Sequence, residues 1–213
     1  SHPDRLIRKE LCQEAVRLCQ LLTQHPVCTT PASWALLALM LLHAARLDAR
    51  VNEQGDLILL AEQDRSRWDQ RLIAAGLRAL DRSASGDDAS PYHLEAGIAA
   101  HHCLSPSFEQ TDWSSILQHY DMLMQRSPSP VVALNRAIVL AELCGPEQGL
   151  HAIHAIADVD ALADYPWLGS TLGQLHLDAG DLERARAWLL KARQLTESPA
   201  QRQLLDRKLR LTL

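Results

Sequence analysis

The side chains most able to do chemistry in this 213-residue chain are bunched in Glu62-Gln-Asp-Arg-Ser-Arg-Trp-Asp69. Asp64 and Asp69 can accept hydrogen bonds or cap a helix, Arg65 and Arg67 can hold anions or stack on rings, and Trp68 offers a broad apolar face with one donor. Such a mixture, with Ser66 inside it, reads as a buried network or a contact surface, because Arg and Trp anchor interfaces. The alternative is a helix start with local Asp–Arg pairs worth roughly a few tenths of a kcal/mol each. Neither reading is a catalytic centre.

His101-His102-Cys103 looks metal-like, but adjacent helical positions diverge by about 100° and cannot all ligate one ion. His151 and His154, with Asp158 a turn later, share one helix face and read as solvated. The carboxylate pairs Asp87–Asp88 and Glu62–Asp64 fall in loops. No Gly-rich phosphate loop and no G-x-S-x-G elbow occurs. The expectation is therefore no catalytic residues, no cofactor, no metal and no enzyme activity.

Composition narrows the class further. A net charge of −5 with scattered Lys and Arg argues against this chain itself gripping a phosphate backbone. Five cysteines, an odd number without a C-x-x-C pair, suit a reducing compartment and buried thiols. The most apolar run, Ala32 to Leu42, is about half of what a bilayer crossing needs, which predicts a core helix of a cytoplasmic protein and no membrane partner. The start at Ser1-His2-Pro3-Asp4, without Met, predicts a piece of a longer chain.

The elements that position these residues read as helices. Ser129 and Pro130 open an apolar segment through Val131, Leu134, Ile138 and Val139. Asn135 in it lies 38 residues after Gly97 and 38 before Gly173, in segments opened by Pro91, Pro130 and Pro166. Second helices follow with four-then-three steps: Ile116, Tyr120, Leu123; Gly149, Ile153, Ile156; Ala185, Leu189, Ala192. A fixed period of helix pairs predicts an all-α array of antiparallel pairs, a TPR-like α-solenoid.

Earlier in the chain, Leu6 to Gln24 predicts a helix with a stripe of Ile7, Leu11, Ala15, Leu18 and Leu22. Thr30 and Pro31 open a second, buried one. Residues 49–60, aliphatic on either side of a turn with Gly55, predict a small β-hairpin insertion. Asp64 or Ser66 is the expected cap of the helix through Ile73, Leu77 and Leu80. The polar linker Ser83–Ser90 divides the chain into a helical subdomain, 1–85, carrying hairpin and motif, and TPR-like repeats, 86–213. Ser198-Pro-Ala-Gln201 predicts a capping box starting the last helix.

Two resemblances follow. Leu172 to Arg193 resembles a tetratricopeptide repeat, with Gly173, His176, Ala185, Leu189 and Ala192 on its small and bulky positions. Most of the chain resembles the C-terminal extension of a subgroup of extracytoplasmic-function (ECF) RNA polymerase sigma factors of the sigma-70 family. The residues carrying this are Leu11 to Leu18, Leu36 to Arg46, Glu62 to Asp69, Thr111-Asp-Trp113 and Pro128 to Ala137. The resemblance implies a non-catalytic regulatory, protein-interaction module in transcription initiation. Its partners would be the N-terminal sigma domains of the same full-length chain, the RNA polymerase core or a regulatory protein, with DNA reached only through the sigma domains. Arg65, Arg67 and Trp68 are the expected inter-domain contact, and Asn135 with Arg136 the inner surface of the array. The competing reading is a free-standing TPR-like scaffold unrelated to transcription.

Overall fold

The computed structural model describes residues 9–85 and 89–213. Ile7 of the first stripe and the Asp87–Asp88 pair lie outside the described residues. The fold is all-α: ten α-helices and four short 3-10 turns, with no sheet among the described residues. The helices are α1 (Lys9–Gln24), α2 (Pro31–Ala44), α3 (Gln70–Ser83), α4 (Pro91–Leu104), α5 (Trp113–Arg126), α6 (Pro130–Cys144), α7 (Pro146–His154), α8 (Pro166–Asp178), α9 (Leu182–Leu195) and α10 (Pro199–Arg210).

Local chemistry explains most of the starts. Proline opens α2, α4, α6, α7, α8 and α10, at the position whose N–H has no intrahelical partner. Thr30 and Ser33 form a reciprocal capping box on α2, and the Ser129 hydroxyl accepts from Val132 N–H at 3.1 Å on α6. At α10 the expected box is only half made. Ser198 Oγ accepts from Gln201 N–H, but the Gln201 amide oxygen instead accepts from the Thr196 hydroxyl.

The chain divides into two compact units, residues 1–119 and 120–213, so the division falls inside α5. The linker at 83–90 instead joins two helices of the first unit. There the Ser90 N–H donates to His93 Nδ1, which leaves Nε2 protonated to donate to the Ser83 carbonyl at 3.1 Å.

In the first unit α2 packs against α1, α3 and α4 and buries Ala35, Leu37, Ala38, Leu41 and Leu42. A helix with neighbours on several sides needs apolar residues all round, as this one has. The apolar stretch is longer than the run Ala32–Leu42 suggests. Pro31–Ala49, 19 residues, is long and apolar enough to cross a membrane by length and composition, and half of that window is buried inside the structure. Ala44, Ala45, Leu47 and Ala49 extend it, with Arg46 and Asp48 interspersed.

One expectation fails here, and one face turns outward. The hairpin at 49–60 is absent: Val51 and Leu57 make a single isolated antiparallel bridge. Asn52 Oδ1 takes the N–H groups of Gln54 and Asp56, and 3-10 turns at Leu47–Ala49 and Leu60–Glu62 consume both arms. An arm of one or two residues cannot build a ladder. The stripe of α1 also faces outward: Leu11, Leu18, Leu21 and Leu22 are exposed, and Cys19 and Thr23 are buried. A helix packed on one neighbour buries a narrow strip, and periodicity does not say which strip is covered.

In the second unit each helix packs on the next, α6 on α7, α7 on α8, α8 on α9 and α9 on α10. Gly145, at φ +94°, is the reversal between α6 and α7, a conformation that a Cβ would strain. Gly173 lets α8 approach α9 closely, since a Cβ there would lie 2.6 Å from Leu189 Cγ.

Candidate functional site

The motif from Glu62 to Asp69 is pinned to α2 and α4. Asp69 N–H donates to the Ala45 carbonyl at 2.9 Å, and Arg67 Nη2 donates to the Asp48 carbonyl at 2.7 Å. Arg65 Nη1 donates to the carbonyls of His102 (2.5 Å) and Ser105 (2.8 Å), placing a cation on the C-terminal end of α4 where the helix dipole favours one.

Asp64 and Asp69 act as caps and make no ion pair with the arginines of the motif. Asp69, not Asp64 or Ser66, caps α3 by accepting from Arg71 and Leu72 N–H. Asp64 caps the 3-10 turn Arg65–Arg67, accepting from Ser66 N–H (2.9 Å) and its hydroxyl (2.6 Å), bonds that hold its carboxyl below the ordinary range. Local Asp–Arg pairing is therefore not what organises this segment.

Trp68 organises it. The indole is 3% exposed, and two guanidiniums lie over its ring, Arg65 at 4.6 Å and Arg46 at 5.0 Å from the centroid. It packs with Leu42, Ala45, Ala49, Ile73, Ala99 and Ala100 in the core of the first unit. Enclosed in this way, Trp68 cannot also be an exposed anchor for another domain, whereas Asp64, Ser66, Arg67 and Asp69 around it are exposed.

The cluster is rich in cations and poor in acids. Arg46 is 7% exposed, and burial, then Arg50 and Arg65, bring its guanidinium down to about 10. Burial, then Arg46 and Arg65, press His102 down to about 3, so its imidazole is neutral at physiological pH. Burial pushes the Cys103 thiol up, with Arg46 and Arg65 pulling it back, and its Sγ faces the Leu42 carbonyl at 3.7 Å. A protonated thiol is a poor nucleophile. Arg50 Nη2 approaches His43 Nδ1 at 3.1 Å. Sequence reasoning missed Arg46, and it weighed His102 only as a metal ligand. The only signal at Arg46 was an arginine directly after the most apolar helix.

The other predicted pair separates. Arg136 Nε donates to Asp121 Oδ1 at 2.6 Å, and both border an open cleft of about 800 Å³ in the second unit. Met124, Pro128, Ile156 and Asp158 help to line it. Asn135 is half-buried and is not part of the cleft wall, because its side chain leaves α6 about 100° away from that of Arg136.

The histidines diverge as adjacent helical positions must. The His101 ring meets His119 edge-on and lies 4.0 Å from Asp112, His102 turns to Trp113, and Cys103 to α2. His151 and His154 are exposed. Among the described residues no group of three or more His, Cys, Asp or Glu side chains is placed to hold a metal ion.

Residues 1–84 match a family described as a family of unknown function (DUF6596), a stretch that holds α1 to α3 and the Trp68 motif. The chain is also similar to an uncharacterized protein (R00370) of Rhizobium meliloti (strain 1021), 37% identical over 153 residues. The match spans 71% of this chain and 36% of that protein, so the chain spans little more than a third of the relative's length. No solved structure matches.

Proposed function

We propose that this chain is a non-catalytic regulatory module of an ECF sigma factor, acting in the cytoplasm by holding other polypeptides. The observation that carries this reading is the outward leucine face of α1. Leu11 (56% exposed), Leu18, Leu21 and Leu22 share one side of an otherwise polar helix, and contiguous exposed apolar surface marks interaction sites. By the sigma-factor resemblance, this face lies towards the sigma domains and would receive them or the RNA polymerase core. DNA would be reached only through the sigma domains.

The second unit supplies the partner-holding element in this reading. Its successive helix packing, with Gly173 against Leu189 on the small and bulky positions of a tetratricopeptide-like pair, supports a TPR-like array. The cleft bordered by Arg136 and Asp121 is wide enough for a peptide or helix of a regulatory protein. That the Rhizobium relative extends well beyond the matched stretch is consistent with a module attached to further domains.

Transcription in vitro from the target promoter, with RNA polymerase core and the full-length factor, tests this. Deleting residues 1–213 and substituting Leu18→Asp with Leu22→Asp are both expected to change the output. Unchanged output from the deletion overturns the regulatory role. The second reading, a free-standing scaffold, rests on the same exposed face and predicts no helix-turn-helix encoded upstream of Ser1.

A further inference from the structure

Five buried side-chain polar atoms among the described residues have no hydrogen-bond partner: Arg46 Nε, Gln63 Oε1, Arg65 Nη2, Trp68 Nε1 and His102 Nδ1. All five belong to the first unit, and four of them sit on residues in one cluster. Both guanidiniums lie over the Trp68 ring, and the His102 ring feels both arginines. Buried polar groups in folded proteins are nearly always satisfied, so a concentration of unsatisfied ones needs a cause. Leaving a buried donor unmade is costly, and for a charged donor more so.

The charge balance gives that cause a sign. Arg46 makes no ion pair among the described residues, and the groups acting on it are Arg50, Arg65 and the Cys103 thiol. Arg65 gives one Nη to the end of α4 and stacks on Trp68. The acid that influences it, Glu109, is exposed and beyond ion-pair distance. A cation–π contact attracts a guanidinium to a ring face but takes none of its in-plane hydrogen bonds. One buried and one half-buried cation, Arg46 and Arg65, therefore keep buried in-plane donors unspent beside an indole N–H that is also unspent.

We propose that the cluster of Arg46, Arg65, Trp68 and His102 binds the doubly charged oxyanion of a phosphate group. Free inorganic phosphate and the phosphate of a small phosphomonoester share this chemistry. A dianion neutralises both guanidiniums at once, whereas a carboxylate leaves one charge uncompensated. Its tetrahedral oxygens can accept from two guanidinium edges and the indole N–H together, and guanidinium forks suit phosphate geometry. Arg65 is half-buried, so the cluster has an outward edge through which the anion enters.

The test uses the full chain, labelled with ¹⁵N, and reads the indole N–H signals of its five tryptophans. Trp68→Phe identifies the Trp68 signal. Inorganic phosphate, glycerol phosphate, acetate and chloride are titrated separately at matched ionic strength. Saturable movement of the Trp68 signal with inorganic phosphate, glycerol phosphate or both supports the site, and the comparison tells the two sources apart. Arg46→Met is expected to weaken binding about tenfold or more, whereas Arg193→Gln in the second unit leaves it unchanged. If Arg46→Met collapses the other indole signals, Arg65→Lys, which keeps the charge and loses the fork, is expected to show the same weakening. A Trp68 signal that does not saturate, an equal response to chloride or acetate, or unchanged affinity in both arginine variants overturns the proposal.

Discussion

The arginines of the Trp68 cluster in the first unit and those of the second unit are used in opposite ways. In residues 120–213 each of several guanidiniums meets a carboxylate at the surface: Arg136 with Asp121, Arg193 with Asp206, Arg184 with Asp181. In residues 1–119 the arginines of the Trp68 cluster meet an indole face, helix-end carbonyls and a histidine instead. The first arrangement lets water share the burden of solvation, so each pair is worth little and little is lost when it breaks. The second holds charge in a desolvated interior, where each unmet donor has an energetic cost and the histidine stays neutral. The packing follows the same split. The second unit stacks each helix on its neighbour in sequence, whereas the first gathers α1, α3 and α4 around one apolar helix. Surface pairing thus leaves an open cleft beside Arg136, and interior gathering leaves a polar cluster that is mostly buried and reaches the surface at Arg65.

The contrast is sharpest where the cluster is emptied. Trp68→Ala removes the ring that both arginines face and is expected to destabilise the first unit by about 3–5 kcal/mol. Denaturant unfolding followed by the remaining tryptophans measures it, and a loss under about 1 kcal/mol would mean the ring is not the unit's organiser. In the second unit, Gly173→Ala forces α8 away from Leu189 and is expected to cost about 1–3 kcal/mol by overpacking. A neutral effect on melting temperature would show that α8 and α9 can separate at no cost.

Acid should divide the units as well. The folded His102 lies at about 3, below its ordinary value near 6.5. The folded state therefore binds fewer protons than the unfolded one between those values. Its contribution is complete above about 6.5 and is lost as the pH falls towards 3, at a slope of at most about 1.4 kcal/mol per pH unit. Stability measured from pH 7 to 4.5 should fall less steeply in His102→Phe, and parallel curves would rule out this origin.

Smaller effects complete the series. Arg136→Ala breaks a half-exposed ion pair and is expected to cost about 0.2–1 kcal/mol, read as a shift in denaturation midpoint. Leu18→Asp on the exposed face of α1 should change stability by no more than about 0.5 kcal/mol. A much larger loss would mean that this face is covered within the folded chain.

How much was legible in advance follows from which forces are local. The leucine heptad-like stripe of α1 was visible, but its direction was not, because only the position of α2 decides which face is buried. The α5 range and the α9 range follow directly from Asp112 and Asp181 as caps, and both caps form. Residues 49–60 showed aliphatic residues on either side of a turn with Gly55, yet Asn52 and the flanking 3-10 turns satisfy the backbone in place of a two-stranded ribbon. In the site, Arg65 and Trp68 stood out by residue type, whereas Arg46 was silent and His102 stood out only as a metal-like histidine, because both come from segments distant from the motif. Arg136 faces the cleft and Asn135 does not, a distinction that depends on where α7 lies against α6.

By itself the sequence determined the helices: proline fixes φ at the first turn, Ser, Thr and Asp meet the free N–H groups, and apolar spacing at 3.6 residues favours an all-α chain. These are interactions within a few residues and need no knowledge of the rest. Tertiary structure decided which arginines are stripped of water, which leucines stay outside and where two guanidiniums close on one indole. Those outcomes depend on the summed burial of groups far apart in the chain, and desolvation is a property of a place, not of a residue.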